Sequence, residues 1–449
     1  MSPVEVVLRG ARALLGDPRD RKIEAVDIRI AGGVISEIGA GLDAGHAEVV
    51  DYSGCWIIPG FVDAHQHVWQ AVLRGRLADL PHEESEAVVR DLVAHAVAPA
   101  DVYAGAYGGA IAMLDAGITC TFDHCDAVAT VEHGRAAVHG LHDAGIRGVW
   151  GYGFDSAGSE AGPEQRLDDA RRLKSLIDGY PLLSFGVVPY ADDDPERFAA
   201  QIALGAETDA AILTHTDARR RGEGPADSET WLKAGLVSAR HVHAFCSATP
   251  ASVFGEFARL GCSVVSTPDI ELGGGLGYTA LHQADDAGVN TALGTGSQAV
   301  SSPDMFATMR LGMQSERMRY QQAAAVTRGT SGISRITLRT EEMLHFATLG
   351  GARALGLGDV CGSIEVGKAA DLVVIRPASP RLAPLVDPMV SIVMHMGVAD
   401  IDAVLVGGEF RKKNGALTGD AAVRAMNELD AAHARIASAV SGRMKEVSV

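Results

Sequence analysis

Basic residues are scarce in this chain. Its 449 residues carry 39 lysines and arginines against 57 aspartates and glutamates, a formal charge of −18 at pH 7. A nucleic-acid binder needs a basic surface to displace counterions from phosphate, so this balance argues against a nucleic-acid partner. It does not exclude small molecules, because a local pocket can differ from the net field. Cysteine is scarce too: Cys55, Cys120, Cys125, Cys246, Cys262 and Cys361 are scattered, with no CxxC pair. In a chain this long they read as reduced, mostly buried thiols of a cytoplasmic protein, not as a disulfide framework or a cysteine metal site. No apolar run approaches the roughly 18 residues needed to span a bilayer. The opening MSPVEVVLRGARALLG also lacks the continuous apolar core of a signal peptide. Long low-complexity stretches are missing as well. The expectation is a cytoplasmic protein with a small-molecule substrate, no membrane partner and assembly as a homo-oligomer.

What is present suits a globular chain, with an apolar fraction of 47% and charged residues at 21%. The length is too great for one core, so one large domain and a smaller one are expected. The beginning, VEVVLRGARAL, AVDIRIAGGVISEIG and AEVVDYSGCWIIP, alternates apolar and polar residues around glycine turns, the pattern of a small antiparallel β domain. From Ile57 the rhythm changes. Eight short apolar runs follow, from IIPGFVDAH to NTALGTG near 290, separated by amphipathic stretches such as 106–117 and 250–261 that end on glycine. Eight β–α units within about 250 residues predict a (β/α)8 TIM-like barrel. Alternation returns in SIEVGKAADLVVI and VADIDAVLVGGEFRKKNGAL. These strands are expected to complete the N-terminal sheet, so that the barrel is an insertion in a small β-sandwich domain. The predicted units are 1–56 with 364–417 as a composite β domain, 57–363 as the barrel and 418–449 as a C-terminal helix.

The motif with most chemical content is PGFVDAHQH. His65 and His67 are two apart, so on a strand they share a face, and on a barrel strand that face is the interior. Two imidazoles at the C-terminal end of such a strand can chelate one metal ion, and catalytic groups of these barrels sit at that end.

PGFVDAHQH with LRG shortly after it, then ATLGGARALGL, GSIEVGKAADLVVI and LVGGEF in that order, closely resembles the amidohydrolase superfamily. Within it the chain is most similar to the cytosine deaminase, S-adenosylhomocysteine deaminase and triazine hydrolase branch. The resemblance implies one metal ion, Zn2+ or alternatively Fe2+, held by the HxH pair, by histidines ending strands 5 and 6 and by an aspartate ending strand 8. Carried onto this sequence, the ligands are His65, His67, His215 in ILTHT, and His243 in ARHVHAF, with His241 as the alternative.

Two positions depart from that pattern. Where relatives read LGTD this chain reads LGTG, so Gly296 stands in place of an aspartate that binds metal and takes a proton from water. Three residues beyond His215, where many relatives carry a proton-shuttling glutamate, stands Ala218. Glu271, Asp304 and His124 are the candidate catalytic substitutes; Trp69, Gln70 and Asp269 are the candidate substrate contacts. Four of the six have a plainer reading: Glu271 and Asp269 as solvated loop charges, Asp304 as the cap of the helix it precedes, Trp69 as barrel packing. Asp123 shares the FDHC segment with His124, and Asp217 is expected to point away from His215. The function implied is metal-dependent, deaminase-like hydrolysis of a C–N bond in a cyclic or heteroaromatic small molecule. The alternatives are a non-hydrolytic cyclase, lyase or isomerase on the same scaffold, because the two proton-transfer groups are missing, and a catalytically silent binding protein.

Overall fold

A computed structural model describes residues 5–156, 158–190, 194–217, 227–328 and 336–440. Eight parallel strands form the central sheet in chain order: Phe61–His67, Ile118–Cys125, Arg147–Gly153, Leu183–Val188, Ala211–His215, His241–Ala244, Ser263–Ser266 and Asn290–Leu293. The last of these continues into Gly296–Ser297, which pairs in parallel with Gln66 and His67 of the first strand. That pairing closes the ring. Parallel strands covered on both faces read as nearly continuous apolar runs, and every residue of Phe61–His67, Ile118–Cys125 and Arg147–Gly153 is buried.

The two chain ends build a second, mixed sheet of nine strands. Its order is Ala416–Leu417, Glu409–Lys413, Ile401–Val406, Leu372–Ile375, Trp56–Pro59, Val6–Leu14, Ile23–Ala31 and Val34–Gly39, with Glu48–Asp51 also paired to Val6–Leu14. Only Gly60 separates this sheet from the first barrel strand. The two units are pinned by Arg147, at the start of the third barrel strand. Its Nε donates to Asp371 Oδ2 (2.6 Å), and a terminal nitrogen donates to Oδ1 (3.1 Å).

Three segments shape the barrel mouth or its supports. Residues 68–98 leave the first strand through the 3-10 turn Val68–Leu73 and carry the short helix His82–Ala87. TEEMLHFATLGGARALGL forms two helices, Thr340–Phe346 and Leu349–Ala354, because Thr348 (φ −136°, ψ −95°) leaves the helical region between them. The C-terminal helix Ala421–Val440 buries Ala425, Ala432, Ile436 and Val440, and Leu429 packs close to Gly108 of the helix Pro99–Asp115. Among the described residues no helix is long and apolar enough to cross a membrane.

Candidate metal centre

At the C-terminal end of the first strand the pairing with the second slips between Asp63 and Gln66. His65 lies within that slip and His67 just beyond it. Together with His124, at the end of the second strand, and His215, the last residue of the fifth, they each offer a ring nitrogen, all within 4.8 Å of one another. His65 Nε2 and His215 Nε2 are 3.1 Å apart, and His124 Nδ1 is 3.3 Å from His215 Nε2. Four nitrogens bound tetrahedrally at the zinc–nitrogen distance of about 2.0–2.1 Å lie about 3.3 Å from each other. The donor set therefore fits a divalent cation in its chemistry, and two of its six nitrogen pairs stand at ligand spacing. Burial and the neighbouring imidazoles push the His65 and His215 rings well below the usual histidine range, which leaves them neutral and able to ligate.

Two carboxylates stand behind the rings. Asp126 Oδ2 is 3.2 Å from His67 Nδ1, and Asp155 Oδ2 is 3.2 Å from His124 Nε2. Burial works against a charge on His67, but Asp126 overrides it and holds the ring at about 9. Asp126 stays ionised, at about 2, because His67 and His124 outweigh its burial. Trp69 Nε1 donates to Asp126 Oδ1, and the Gln70 amide donates to Oδ2 at 3.2 Å.

Beside His67 lies a recess of about 550 Å3, counting the part open to solvent. Leu80, Val89, Phe245, Ile270 and Val300 supply its apolar wall, and Gln70, His82 and Ser297 its polar groups. Phe245 adopts a left-handed conformation (φ 62°) that follows the sixth strand, and its ring centroid lies 4.6 Å from that of His215.

The expectation for the sixth strand is corrected. His243 pairs with Thr214, and Ala244 with His215. Neighbours in register share a face, so Ala244 accompanies His215 inward while His243 faces the helix layer. There its ring stacks on Phe257 (3.9 Å between centroids) and its Nδ1 lies 2.9 Å from Thr216 Oγ1. His241, two residues earlier, faces the same way, and its Nδ1 accepts from Ser238 N. Neither joins the cluster, since a one-residue change of phase moves a whole strand's side chains to the other face.

The other candidates separate by position. Gln70 borders the recess and its Oε1 accepts from Ser297 Oγ at 2.5 Å. Trp69 is fully buried and reaches the site through its hydrogen bond to Asp126. Glu271 is fully buried, with Oε2 accepting from Ser247 Oγ (2.5 Å) and Oε1 from Thr267 N (2.6 Å). Asp269 accepts from Thr308 Oγ1, and Asp304 caps the helix Met305–Arg328 by accepting from Phe306 N and Ala307 N. None of these three carboxylates is in the cluster. Asp123 accepts from Val68 N. Asp217 turns away from His215 to accept from Ser228 and Thr249. Ala218 lies outside the described residues.

Gly296 borders the recess with a left-handed backbone (φ 79°). A Cβ there would lie 2.4 Å from Ile270 Cγ1, so the position is not an open slot for the expected aspartate.

Residue patterns missed Asp126, Asp155, His82 and Phe245. The first two had a usable signal, since each carboxylate follows a barrel strand by one or two residues, in FDHCD and GYGFD. His82 and Phe245 carried none.

Comparison with known proteins agrees with this architecture. The model of the amidohydrolase family matches residues 56–179 and 208–411. The 5-methylthioadenosine/S-adenosylhomocysteine deaminase of Pyrococcus furiosus is 26% identical over 419 residues, 90% of this chain and 94% of that protein. An adenosine deaminase from Xanthomonas campestris with bound zinc superposes with a TM-score of 0.83 at 23% identity, covering 97% of this chain and 99% of that one. The zinc complex of atrazine chlorohydrolase from Arthrobacter aurescens gives 0.80 at 22% identity, covering 95% and 100%. With a closed (β/α)8 barrel, an HxH pair ending its first strand and the family model matched over most of its length, this chain belongs to the amidohydrolase family.

Proposed function

We propose that the protein is a metal-dependent hydrolase that removes the amino group from an aminated heteroaromatic small molecule of the adenosine type. The observation that carries this reading is the cluster of four imidazoles at the barrel mouth, beside a recess with an apolar wall. Membership of a family of hydrolases of non-peptide C–N bonds supports it, as do relatives named for deamination of adenosine derivatives. Zinc is the proposed ion, by ligand type and by its presence in similar structures; ferrous iron is the alternative.

His65, His67 and His215 would hold the ion. A bound divalent cation supplies hydroxide at neutral pH and Lewis-acid polarisation of the substrate. The protein's own part is orientation. Asp126 engages His67 through Nδ1 and so leaves Nε2 for the ion, and Trp69 and Gln70 fix Asp126 in turn. Leu80, Val89, Phe245 and Ile270 offer apolar contact to the faces of a flat ring, while Gln70, His82 and Ser297 can hydrogen-bond to its edge.

The test is metal analysis of the purified chain, with ammonia release from adenosine-type nucleosides, aminopyrimidines and aminotriazines. Turnover of a nucleoside that is lost to a chelator, restored by zinc and abolished in His215→Ala is the expected result. A metal-replete protein that releases ammonia from no member of the panel would sink the proposal.

A further inference from the structure

The family pattern asks for a carboxylate from strand 8, and this chain has none to give there. We propose that His124, from the second strand, takes that place as a fourth imidazole ligand through Nδ1, and that Asp155 is the positioning residue that holds it through Nε2. The inference rests on the reading that the site binds a divalent metal, and adds which residues complete it.

Five observations carry it. His124 Nδ1 is 3.3 Å from His215 Nε2, the spacing of two ligands on one tetrahedral ion, whereas a histidine facing away would show no such approach. Its other nitrogen is already engaged, 3.2 Å from Asp155 Oδ2, and the ring is 1% exposed. That is the carboxylate–histidine arrangement that fixes tautomer and ring orientation in metal sites. The strand-8 position is closed, because Gly296 has a left-handed backbone and Ile270 occupies the space its Cβ would need. The strand-6 histidines are turned outward, His243 against Phe257. Among the described residues, these four histidines form the only candidate metal-binding cluster.

The result is an all-imidazole set with its negative charge one shell out, on Asp126 and Asp155. Such a set would still admit water to a bound zinc ion, whose coordination can expand beyond four. It does place metal affinity under the control of two strand-end loops, after strands 2 and 3, instead of strand 8.

The test uses the full chain, stripped and reloaded with Co2+ or Zn2+. Affinity is read by chelator competition and ligation by the visible bands of the cobalt protein. The parent is expected to bind one ion. His124→Gln should lose at least roughly 100-fold in affinity and shift the cobalt bands. Asp155→Asn should lose about 10–100-fold with the band pattern kept, the range seen for outer-shell partners, and Asp155→Glu should recover part of that loss. His243→Ala should leave affinity and bands as in the parent. If His124→Gln fails to fold, the Asp155 pair decides, because a merely structural carboxylate would not alter metal affinity. Parent affinity and parent bands in His124→Gln would overturn this inference and leave the hydrolase reading standing. So would a loss confined to His243→Ala, which would return the ligand role to strand 6. A parent chain that binds no metal would overturn both.

Discussion

Ile270 stands where a side chain on residue 296 would have to go: a Cβ built on Gly296 lies 2.4 Å from Ile270 Cγ1 and 3.5 Å from Thr267 Cβ. The glycine's φ of 79° adds a second obstacle, since a left-handed backbone costs a side-chain-bearing residue roughly 1–2 kcal/mol. Gly296→Asp is therefore expected to destabilise the fold by roughly 2–5 kcal/mol, strain and overpacking together, with no gain in metal affinity. Gly296→Asp/Ile270→Ala should recover the overpacking part only. Thermal denaturation and chelator competition on the two variants read this out. Tighter metal binding in the single variant would show that the backbone relaxes and that the position is a ligand slot after all.

Glu271 should act on stability instead of on turnover. Burial pushes its carboxyl up to about 7, against hydrogen bonds from Ser247 and Thr267 that favour the charged form. A carboxyl whose folded value lies above its unfolded value near 4.5 costs nothing below pH 4.5. It costs progressively more as pH rises toward 7, and the full amount above that. The gap corresponds to on the order of 3 kcal/mol. Glu271→Gln mimics the neutral form, so it should match the parent near pH 5, exceed it in stability near pH 8.5, and keep both metal and activity. Denaturation curves at the two pH values check the sign; loss of turnover with intact metal would instead give Glu271 a place in the chemistry.

Much of this was legible in the residues, and the rest failed for stated reasons. The barrel could be read because parallel strands buried on both faces leave short apolar runs between amphipathic helices. His65, His67 and His215 could be placed because each sits at the end of such a run. His243 could not: whether HVHA turns its histidines in or out depends on one residue of register against Thr214 and His215, and both phases look alike in sequence. Gly296 reads in sequence as a missing aspartate, but its left-handed backbone and the approach of Ile270 are tertiary facts that a letter does not carry. Asp126 and Asp155 lie just past strand ends, where loop carboxylates are ordinarily solvated, and only the fold brings them to His67 and His124.

The Arg147–Asp371 pair should be a stability determinant of the junction between barrel and sheet. Both side chains are buried, and Asp371 Oδ1 also accepts from Gly407 N at 2.7 Å. Asp371→Ala leaves a buried guanidinium without its partner, which is expected to cost about 3–5 kcal/mol. Arg147→Met/Asp371→Leu removes both charges and should cost clearly less. Urea unfolding of the three proteins provides the comparison; equal midpoints for parent and Asp371→Ala would show that the pair contributes nothing.

Two glycines in helices should respond in opposite directions to the same substitution. Gly255 lies on the exposed side of the helix Ala251–Leu260, with nothing within 4 Å of a built Cβ. Gly255→Ala should stabilise the chain by about 0.5–1 kcal/mol, through helix propensity alone. Gly105, in the helix Pro99–Asp115, is different: a Cβ there would lie 2.1 Å from the carbonyl oxygen of Trp69. Four residues on, one at Gly109 would lie 2.5 Å from that of Val68. These glycines let the helix press against the turn Val68–Leu73, which presents Trp69 and Gln70 to Asp126, and Asp126 to His67. Gly105→Ala must push helix and turn apart, at about 1–3 kcal/mol or more. The displacement is carried to His67 through the Trp69–Asp126 contact, so metal affinity should fall along with stability. Measuring both quantities in both variants separates the effects: Gly255→Ala changes stability upward and leaves metal binding alone, Gly105→Ala lowers the two together. A Gly105→Ala protein as stable as the parent, with undiminished metal affinity, would mean that the helix does not brace the site.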